Sequence, residues 1–326
     1  MKKVLIVILL LGLLPHASAD YIHWVDFRLS APVLRSALEL DMASQGGEQP
    51  LDWIDILALA AAWRGGTGVT VADTQRAAQV LRGDTPPERL PGMAGRYFSY
   101  YREAYGAALG GLAGHFAIRR TDPQTGEAEW IPAYGLKAFS PIAAGYFWSH
   151  YPDFGAQRSY GYARPHLGND ILGALGTPIC AVEGGTVEAL GWNRYGGWRI
   201  GIRSDDRKRY YYYAHLRKDA PYAPGLAVGQ RVQAGDVIGF MGRTGYSAQE
   251  NVNNIETVHL HFGLQLIFDE SQKECDSEIW IDVYPIIELL ASHCSSVARD
   301  PQTGRWERLY PYCDLDAEPL RSAAAR

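Results

Sequence analysis

Five polar residues in the second half of the sequence have the types and spacing of a metal-dependent catalytic site. His166 and Asp170 lie in the segment His-Leu-Gly-Asn-Asp, and a single leucine separates His259 from His261. Side chains of a β-strand alternate between its faces, so His259 and His261 should share one face. His215 ends a run of strand-forming tyrosines. Imidazole and carboxylate groups bind zinc, and imidazole also transfers protons near neutral pH.

Each of these signals is weak alone, and their combination is what favours catalysis. With 9 histidines in 326 residues, a His-x-His pair can arise by chance. The sequence contains no His-Glu-x-x-His, no Gly-x-Ser-x-Gly and no cysteine in a nucleophile-like setting. Three nitrogen or oxygen ligands with one open position are typical of catalytic zinc, whereas structural zinc sites are closed and usually rich in cysteine.

The residues around this cluster predict antiparallel strands. From His166 onwards, short apolar runs alternate with glycine turns, and Asp205-Asp206 suits a hairpin turn between two of them. The predicted strands cover residues 178–182, 186–190, 198–203, 209–215, 237–241 and 258–267.

The first half of the sequence has helical periodicity instead. Ser30 is a suitable N-cap, and apolar residues recur at helical spacing until Gly46. Three further helices are predicted over residues 51–63, 71–81 and 93–115. We therefore expect a helical domain over residues 20–120, followed by a connector over residues 121–160 that has turn composition and no clear period. Because every candidate ligand lies after Pro165, a chain that begins near Gly155 is predicted to fold and bind metal.

The N-terminus predicts export from the cytoplasm. Two lysines precede an apolar run at residues 4–14, and Ala17-Ser18-Ala19 follows, which is the pattern of a secretory signal peptide over residues 1–19. The run is shorter than the roughly 20 residues of a membrane span, so no stable membrane insertion is expected after cleavage. Removing two lysines from 31 basic and 36 acidic residues leaves 29 − 36 = −7. That charge argues against nucleic acid as a partner.

The four cysteines fit an exported chain. Cys180 lies in an apolar, strand-like run and is predicted to be a buried free thiol. Cys275, Cys294 and Cys313 cluster near the C-terminus, and an oxidising compartment favours a disulfide within this trio. Their spacing fits no zinc-finger pattern.

The chain resembles the lysostaphin-type (LytM-like) zinc metallopeptidases. The resemblance rests on five motifs that occur in order between roughly residues 160 and 268: His166-x-Gly168-x-Asp170, Gly176-Thr-Pro, Tyr213-Ala-His215-Leu, Gly229-Gln-x-Val-x-x-Gly235-Asp-x-Ile-Gly239 and His259-Leu-His261-Phe. It implies an α+β chain in which the helical domain precedes an antiparallel β sandwich, the duplicated hybrid motif, over residues 161–268. Neither the helical domain nor the extension over residues 269–326 matches the family core.

The resemblance also implies an activity and a role for each residue. Members of the family cleave peptide cross-links or stem peptides of bacterial peptidoglycan. His166, Asp170 and His261 would hold Zn²⁺, and His215 and His259 would form a metal-free catalytic pair. A segment at residues 248–257 is longer than in short family members, and we expect it to form a groove wall. The helical domain could bind the cell wall or cover the groove.

Two other functions are compatible with parts of the sequence. A catalytically silent family member could serve as a regulator or scaffold, although all five site residues are present. The glycine-punctuated hairpins around residues 228–242 also resemble biotin or lipoyl carriers. Such a carrier needs a lysine at its hairpin tip, and none occurs between Lys218 and Lys273.

Overall fold

A computed structural model describes residues 21–122, 124–273 and 277–317. The predicted signal peptide, residues 1–19, and Cys275 lie outside these residues. Among the described helices, none has the length and apolar character needed to cross a membrane.

Within these ranges the chain forms five α-helices, two short 3₁₀ turns and seventeen strands. The helices are α1 (Ala31–Ser44), α2 (Trp53–Arg64), α3 (Val71–Leu81), α4 (Met93–Leu109) and α5 (Tyr284–Leu290), and the turns are Pro87–Arg89 and Glu270–Gln272. The strands are β1 (Ala113–Thr121), β2 (Ala128–Leu136), β3 (Trp148–His150), β4 (Gln157–Tyr160), β5 (Tyr162–Pro165), β6 (Asn169–Gly173), β7 (Pro178–Cys180), β8 (Gly185–Asn193), β9 (Gly197–Ser204), β10 (Arg209–Ala214), β11 (Arg231–Val232), β12 (Val237–Phe240), β13 (His259–Leu266), β14 (Ile279–Trp280), β15 (Val297–Arg299), β16 (Trp306–Arg308) and β17 (Tyr312–Asp314).

Local sequence explains where the first helices begin and end. The Asp52 side chain accepts a hydrogen bond from the Ile54 amide and caps α2, which ends at Gly65 in the left-handed conformation (φ 63°). At the start of α3, Thr70 and Asp73 form a reciprocal capping box. Helix α2 is buried nearly all round, as expected for the central helix of a small bundle.

The main sheet is antiparallel and holds the candidate site. Its strand order is β11-β8-β9-β10-β13-β6-β3, and β14 also pairs with β13. Strands β7 and β12 form a separate antiparallel pair, whose Ile179 and Ile238 share one core with Ile171 and Ile200 of the main sheet. The predicted α+β class, with an N-terminal helical region before antiparallel sheets, is confirmed.

The helical region and the main sheet are not separate units. Buried residues of α1, α2 and α4 belong to the same contiguous core as those of the main sheet. Near the C-terminus, β17 returns to pair with β1, which also pairs with β2. The extension after residue 268 therefore closes the N-terminal part of the fold.

Two predictions about the first half are wrong in detail. Helix α4 ends at Leu109 rather than at residue 115, because Gly111 packs against Glu183 so closely that a Cβ would lie 1.7 Å from its Oε1. The chain turns there and continues as β1. The stretch predicted as a connector contains β2 and β3, and β3 pairs with β6 in the main sheet. Strand β2 is exposed on both faces and β3 has three residues, so neither shows an alternating pattern.

Among the described cysteines, the prediction is confirmed for Cys180 but not for the C-terminal trio. Cys180 is buried, and burial raises the pKa of its thiol to about 12. Cys294 and Cys313 are free thiols, so no disulfide joins these two. The predicted disulfide within the trio is therefore not found among the described residues, and Cys275 lies outside them.

Candidate metal centre and catalytic site

Three neighbouring strands bring the sequence-predicted site residues together. Asp170 of β6 lies directly opposite His261 of β13, and His261 lies opposite Ala214 of β10. Residues directly opposite one another in a sheet point to the same face. His215 follows Ala214 with a left-handed backbone (φ 60°), and its amide donates to the Gly196 carbonyl. Asp170 and His261 therefore share one face of the sheet with Ala214, and His215 follows at the end of β10.

Three donor atoms converge on one point of this face. His166 Nε2 lies 3.0 Å from Asp170 Oδ1 and 2.8 Å from His261 Nδ1. The third side of the triangle, from His261 Nδ1 to Asp170 Oδ1, measures 3.2 Å. Ligand atoms of a tetrahedral zinc ion, with bonds of about 2.0 Å, lie roughly 3.3 Å apart. The two-nitrogen, one-oxygen donor set and its spacing therefore fit a zinc ion.

A carboxylate outside the predicted set orients His166. The Nδ1 atom of His166 lies 3.1 Å from the backbone oxygen of Asp153 and 3.2 Å from its Oδ2. Both are acceptors, so Nδ1 carries a proton and Nε2 is the nitrogen directed towards the triangle, where a metal ion would displace its proton. Burial lowers the pKa of His166, but hydrogen bonds to Asp153 and Asp170 outweigh it and raise the pKa to about 9.

The motif around His166 supports the same geometry. Asn169 donates a 2.8 Å hydrogen bond to Asp153 Oδ1, which holds that carboxylate in place. Gly168 allows the His261 ring to approach, because a Cβ at residue 168 would lie 2.7 Å from His261 Cε1. Burial opposes ionisation of Asp170, but His166 and His261 hold its pKa far below the ordinary value.

The remaining two histidines use Nδ1 for backbone hydrogen bonds, which leaves Nε2 for the site. His215 Nδ1 donates to the Thr244 carbonyl at 2.9 Å, and His259 Nδ1 donates to the Thr257 carbonyl at 3.0 Å. Their Nε2 atoms are therefore proton acceptors, and His259 Nε2 lies 3.7 Å from Asp170 Oδ1. The two rings lie 4.7 Å apart. Burial, together with the other two histidines of the sheet face, holds the pKa of His215 well below the ordinary value, so it is neutral at pH 7.

A cavity of about 150 Å³ is lined by His166, Asp170, His215 and His261 but not by His259, and it contains residues that the sequence analysis missed. Arg158 of the β4–β5 hairpin donates to Asp153 Oδ2 at 2.8 Å and to Asp170 Oδ2 at 3.1 Å, so it joins both carboxylates. Arg164, Tyr195 and Tyr246 line the same cavity. Asp153 and Arg158 come from a stretch without periodicity, where the available signal was a pair of charged residues shortly before a histidine motif.

The described helical region lies away from this cavity. No residue of the range 21–122 lines it; instead, the carbonyls of Gly106 and Ala107 accept hydrogen bonds from Arg209, at the far end of β10 from His215. The structure therefore does not support the hypothesis that the helical domain covers the groove. A larger cavity, of about 720 Å³, lies between residues 24–32 and 280–288 and contains none of the five predicted site residues.

The segment at residues 248–257 lies behind the cavity rather than in its wall. None of its residues lines the cavity, but Asn254 donates a 2.7 Å hydrogen bond to the Tyr246 carbonyl. Asn251 accepts from the Trp198 indole at 2.9 Å and donates to Asp219 at 2.6 Å. The segment is thus held at Asn251 and Asn254, and Asn254 fixes the Tyr246 backbone.

Comparisons with known proteins find a peptidase family that matches the segment containing the site. Residues 164–274 match the model of peptidase family M23. The L-Ala–D-Glu endopeptidase of Bacillus subtilis is 41% identical over 124 residues, which are 38% of this chain and 36% of that protein. The glycyl-glycine endopeptidase ALE-1 of Staphylococcus capitis is 38% identical over 98 residues, which are 30% of this chain and 24% of that protein. The chain thus spans about a third or less of the length of these relatives.

One solved structure covers most of the chain. It is from Ruminococcus gnavus and is described as a LytM glycyl-glycine endopeptidase; it covers 82% of this chain and 91% of its own, with a TM-score of 0.48 and 26% identity. The matched residues 164–274 contain all five predicted site residues together with Arg164. Residues 164–274 therefore match a peptidase domain of family M23, and the resemblance of this segment to the lysostaphin-type peptidases is confirmed.

Proposed function

We propose that the protein is a zinc metalloendopeptidase that hydrolyses peptide bonds in bacterial peptidoglycan. The observation that supports this most strongly is the convergence of His166 Nε2, Asp170 Oδ1 and His261 Nδ1 beside two histidines whose Nε2 atoms accept protons. A silent scaffold would need neither the open donor triangle nor the acceptor pair.

In this proposal His166, Asp170 and His261 hold the zinc ion. When bound, zinc would act as a Lewis acid on the scissile carbonyl and on the attacking water. Asp153 keeps the His166 ring in the tautomer that a ligand needs, and Arg158 restrains the second oxygen of Asp170. Partners of this kind typically change metal affinity by about 10-fold to 100-fold.

The proton transfers fall to His215 and His259. We assign proton acceptance from the attacking water to His215, since its buried ring is neutral and its Nδ1–H is fixed on the Thr244 carbonyl. His215 then passes this proton to the departing amine, and His259, when it carries a proton at Nε2, hydrogen-bonds the developing oxyanion. Both rings are anchored by backbone carbonyls, so little rearrangement is needed during the reaction.

The substrate class rests on the family and on the named relatives. The names of two relatives specify L-Ala–D-Glu and glycyl-glycine bonds, and the family resemblance implies peptidoglycan cross-links or stem peptides. The predicted signal peptide fits an enzyme that acts outside the cytoplasm, in the cell envelope or secreted.

Purified cell walls provide the test. Wild-type protein loaded with zinc should release soluble muropeptides from walls of at least one cross-link type, and mass spectrometry of the products would name the bond. A chelator should abolish the release, and added Zn²⁺ should restore it. Zinc-loaded protein that releases no peptide from walls of several cross-link types would contradict the proposal and favour the scaffold.

A further inference from the structure

Arg164 lies in an aromatic cage at the edge of the site cavity. Its guanidinium carbon is 4.5 Å from the ring centre of Tyr195, 5.6 Å from that of Tyr246 and 5.8 Å from that of Tyr162. The Nη1 atom is shielded from solvent and has no hydrogen-bond partner among the described residues. A shielded guanidinium N–H without an acceptor is costly unless a ligand supplies one.

The other arginine of the cavity is already neutralised. Arg158 forms ion pairs with Asp153 and Asp170, whereas none of the ion pairs found in the described part of the chain includes Arg164. Asp170 is the acidic residue that lines the cavity, and it is shared by His166, His261 and Arg158. The lining therefore has a positive charge that its own carboxylate does not balance.

Arg164 lies close to the residues that are proposed to act on the scissile bond. Arg164 lies on β5, two residues before His166 in the sequence. The ring of Tyr246, which forms part of the aromatic cage, has its centre 6.0 Å from that of the His215 ring. Asn254 holds the Tyr246 backbone, so the cage has a fixed wall. A guanidinium that stacks on aromatic rings keeps its planar N–H edge available, and that edge matches a carboxylate in a bidentate way.

We propose that Arg164 binds a carboxylate of the substrate next to the scissile bond. The enzyme would then select peptides that carry an acidic residue at this position over those in which the carboxylate is amidated or absent. The inference rests on the proposed function and specifies its substrate. If Arg164 instead stabilised the oxyanion of every substrate, its loss would slow acidic and amidated peptides equally.

The test uses two soluble stem peptides that differ only in a carboxylate or a carboxamide on the acidic residue beside the cleaved bond. We expect wild-type enzyme to favour the carboxylate peptide about tenfold or more in kcat/KM, since a charged hydrogen-bonded pair is lost with the amide. In Arg164→Gln the ratio should fall towards one. Arg164→Lys keeps the charge without the planar fork and should give an intermediate ratio.

Arg194 supplies the matched control. It lies 6.0 Å from the Tyr195 ring but does not line the cavity, so Arg194→Gln should keep the wild-type ratio. Zinc content and the unfolding midpoint of each variant would show that the site is intact. A wild-type ratio near one, or an equal loss on both peptides in Arg164→Gln, would overturn the inference.

A binding measurement separates this inference from the proposed function. Tryptophan fluorescence titration with the same two peptides reports selectivity without turnover. If neither peptide nor cell walls were cleaved, the endopeptidase proposal would fail, yet preferential binding of the carboxylate peptide that disappears in Arg164→Gln would still support the Arg164 site. Equal binding of both peptides by wild-type protein would reject it.

Discussion

Strand β10 has a buried polar network at each end, and the two networks differ in one respect. At its start, Arg209 donates to Glu183 Oε2 at 2.7 Å and to Asp206 Oδ2 at 2.7 Å, and Tyr211 donates to Glu183 at 2.6 Å. Every donor there meets an acceptor. At the other end, near His215, a ring nitrogen of His166 points at a ring nitrogen of His261, and both lie within hydrogen-bonding distance of the Asp170 carboxylate.

The difference shows how to tell a structural polar cluster from a ligand site. A buried network in which each donor has an acceptor holds the fold together and needs nothing added. A cluster whose lone pairs converge, as at His166, Asp170 and His261, is complete only with a cation. Strand β10 runs from Arg209 to the residue before His215 and pairs with β13, which carries His261, so the helical region that covers Arg209 can stabilise the site without lining it.

The largest expected effect comes from removing the structure around the Arg209 end. A chain that begins at Gly155 lacks helices α1 to α4 and Asp153. It also lacks β3, which pairs with β6. In contrast to the sequence-based expectation, we predict that this chain neither unfolds cooperatively nor binds zinc stoichiometrically. Circular dichroism melting and metal analysis would check this. A folded chain that binds zinc as tightly as the full protein would show that the two ends are independent.

The next largest effect is a loss of stability when Arg209 is replaced. Arg209→Met leaves Glu183 buried without its partner, and breaking a buried pair typically costs about 3–5 kcal/mol. Urea unfolding should show a lower midpoint for this variant. The double variant with Glu183→Gln should lose less than the sum of the two single variants, because it removes the uncompensated charge. Additive losses would mean that the two residues do not act as a pair.

At the His215 end, loss of a proton carrier should affect turnover and leave the fold intact. His215→Ala and His259→Ala should each lower kcat by roughly 100-fold or more, the usual scale for such groups. His115→Ala is the control, since that histidine is exposed at β1, away from the cavity. Steady-state kinetics on a soluble muropeptide would measure this. Turnover within a few-fold of wild type in both variants would remove the pair from the mechanism.

The smallest expected effect is on metal affinity through Asp153. Asp153→Asn removes the carboxylate oxygen that accepts a hydrogen bond from His166 Nδ1. We expect zinc affinity to fall about 10-fold to 100-fold. Competition with a chromophoric chelator would measure the affinity. Asp236→Asn changes a carboxylate that lies outside the cavity and should leave affinity as it was. If the two variants bound zinc equally well, Asp153 would have no role in orienting His166.

The sequence predicted the site better than it predicted its surroundings. Alternation along β13 placed His259 and His261 on one face, and five of the six predicted strands match to within two residues at each end, since short apolar runs between glycines are local signals. Strand β8 extends three residues further, to Asn193. The pairing of β17 with β1 and the contact of Asp153 with His166 depend on the folded chain, and no local pattern encodes them. Helix α4 stops at a glycine pair, and the close packing of Gly111 on Glu183 is also a tertiary effect.

The central claim is that the His215 end of β10 holds a metal through three residues and performs chemistry through two others. Zinc content of five purified alanine variants, measured by atomic absorption beside wild-type protein and His115→Ala, tests it most directly. We predict that His166→Ala, Asp170→Ala and His261→Ala lose most of their zinc, while His215→Ala and His259→Ala keep close to one ion per chain. A His215→Ala variant that loses zinc as fully as His166→Ala would contradict the account.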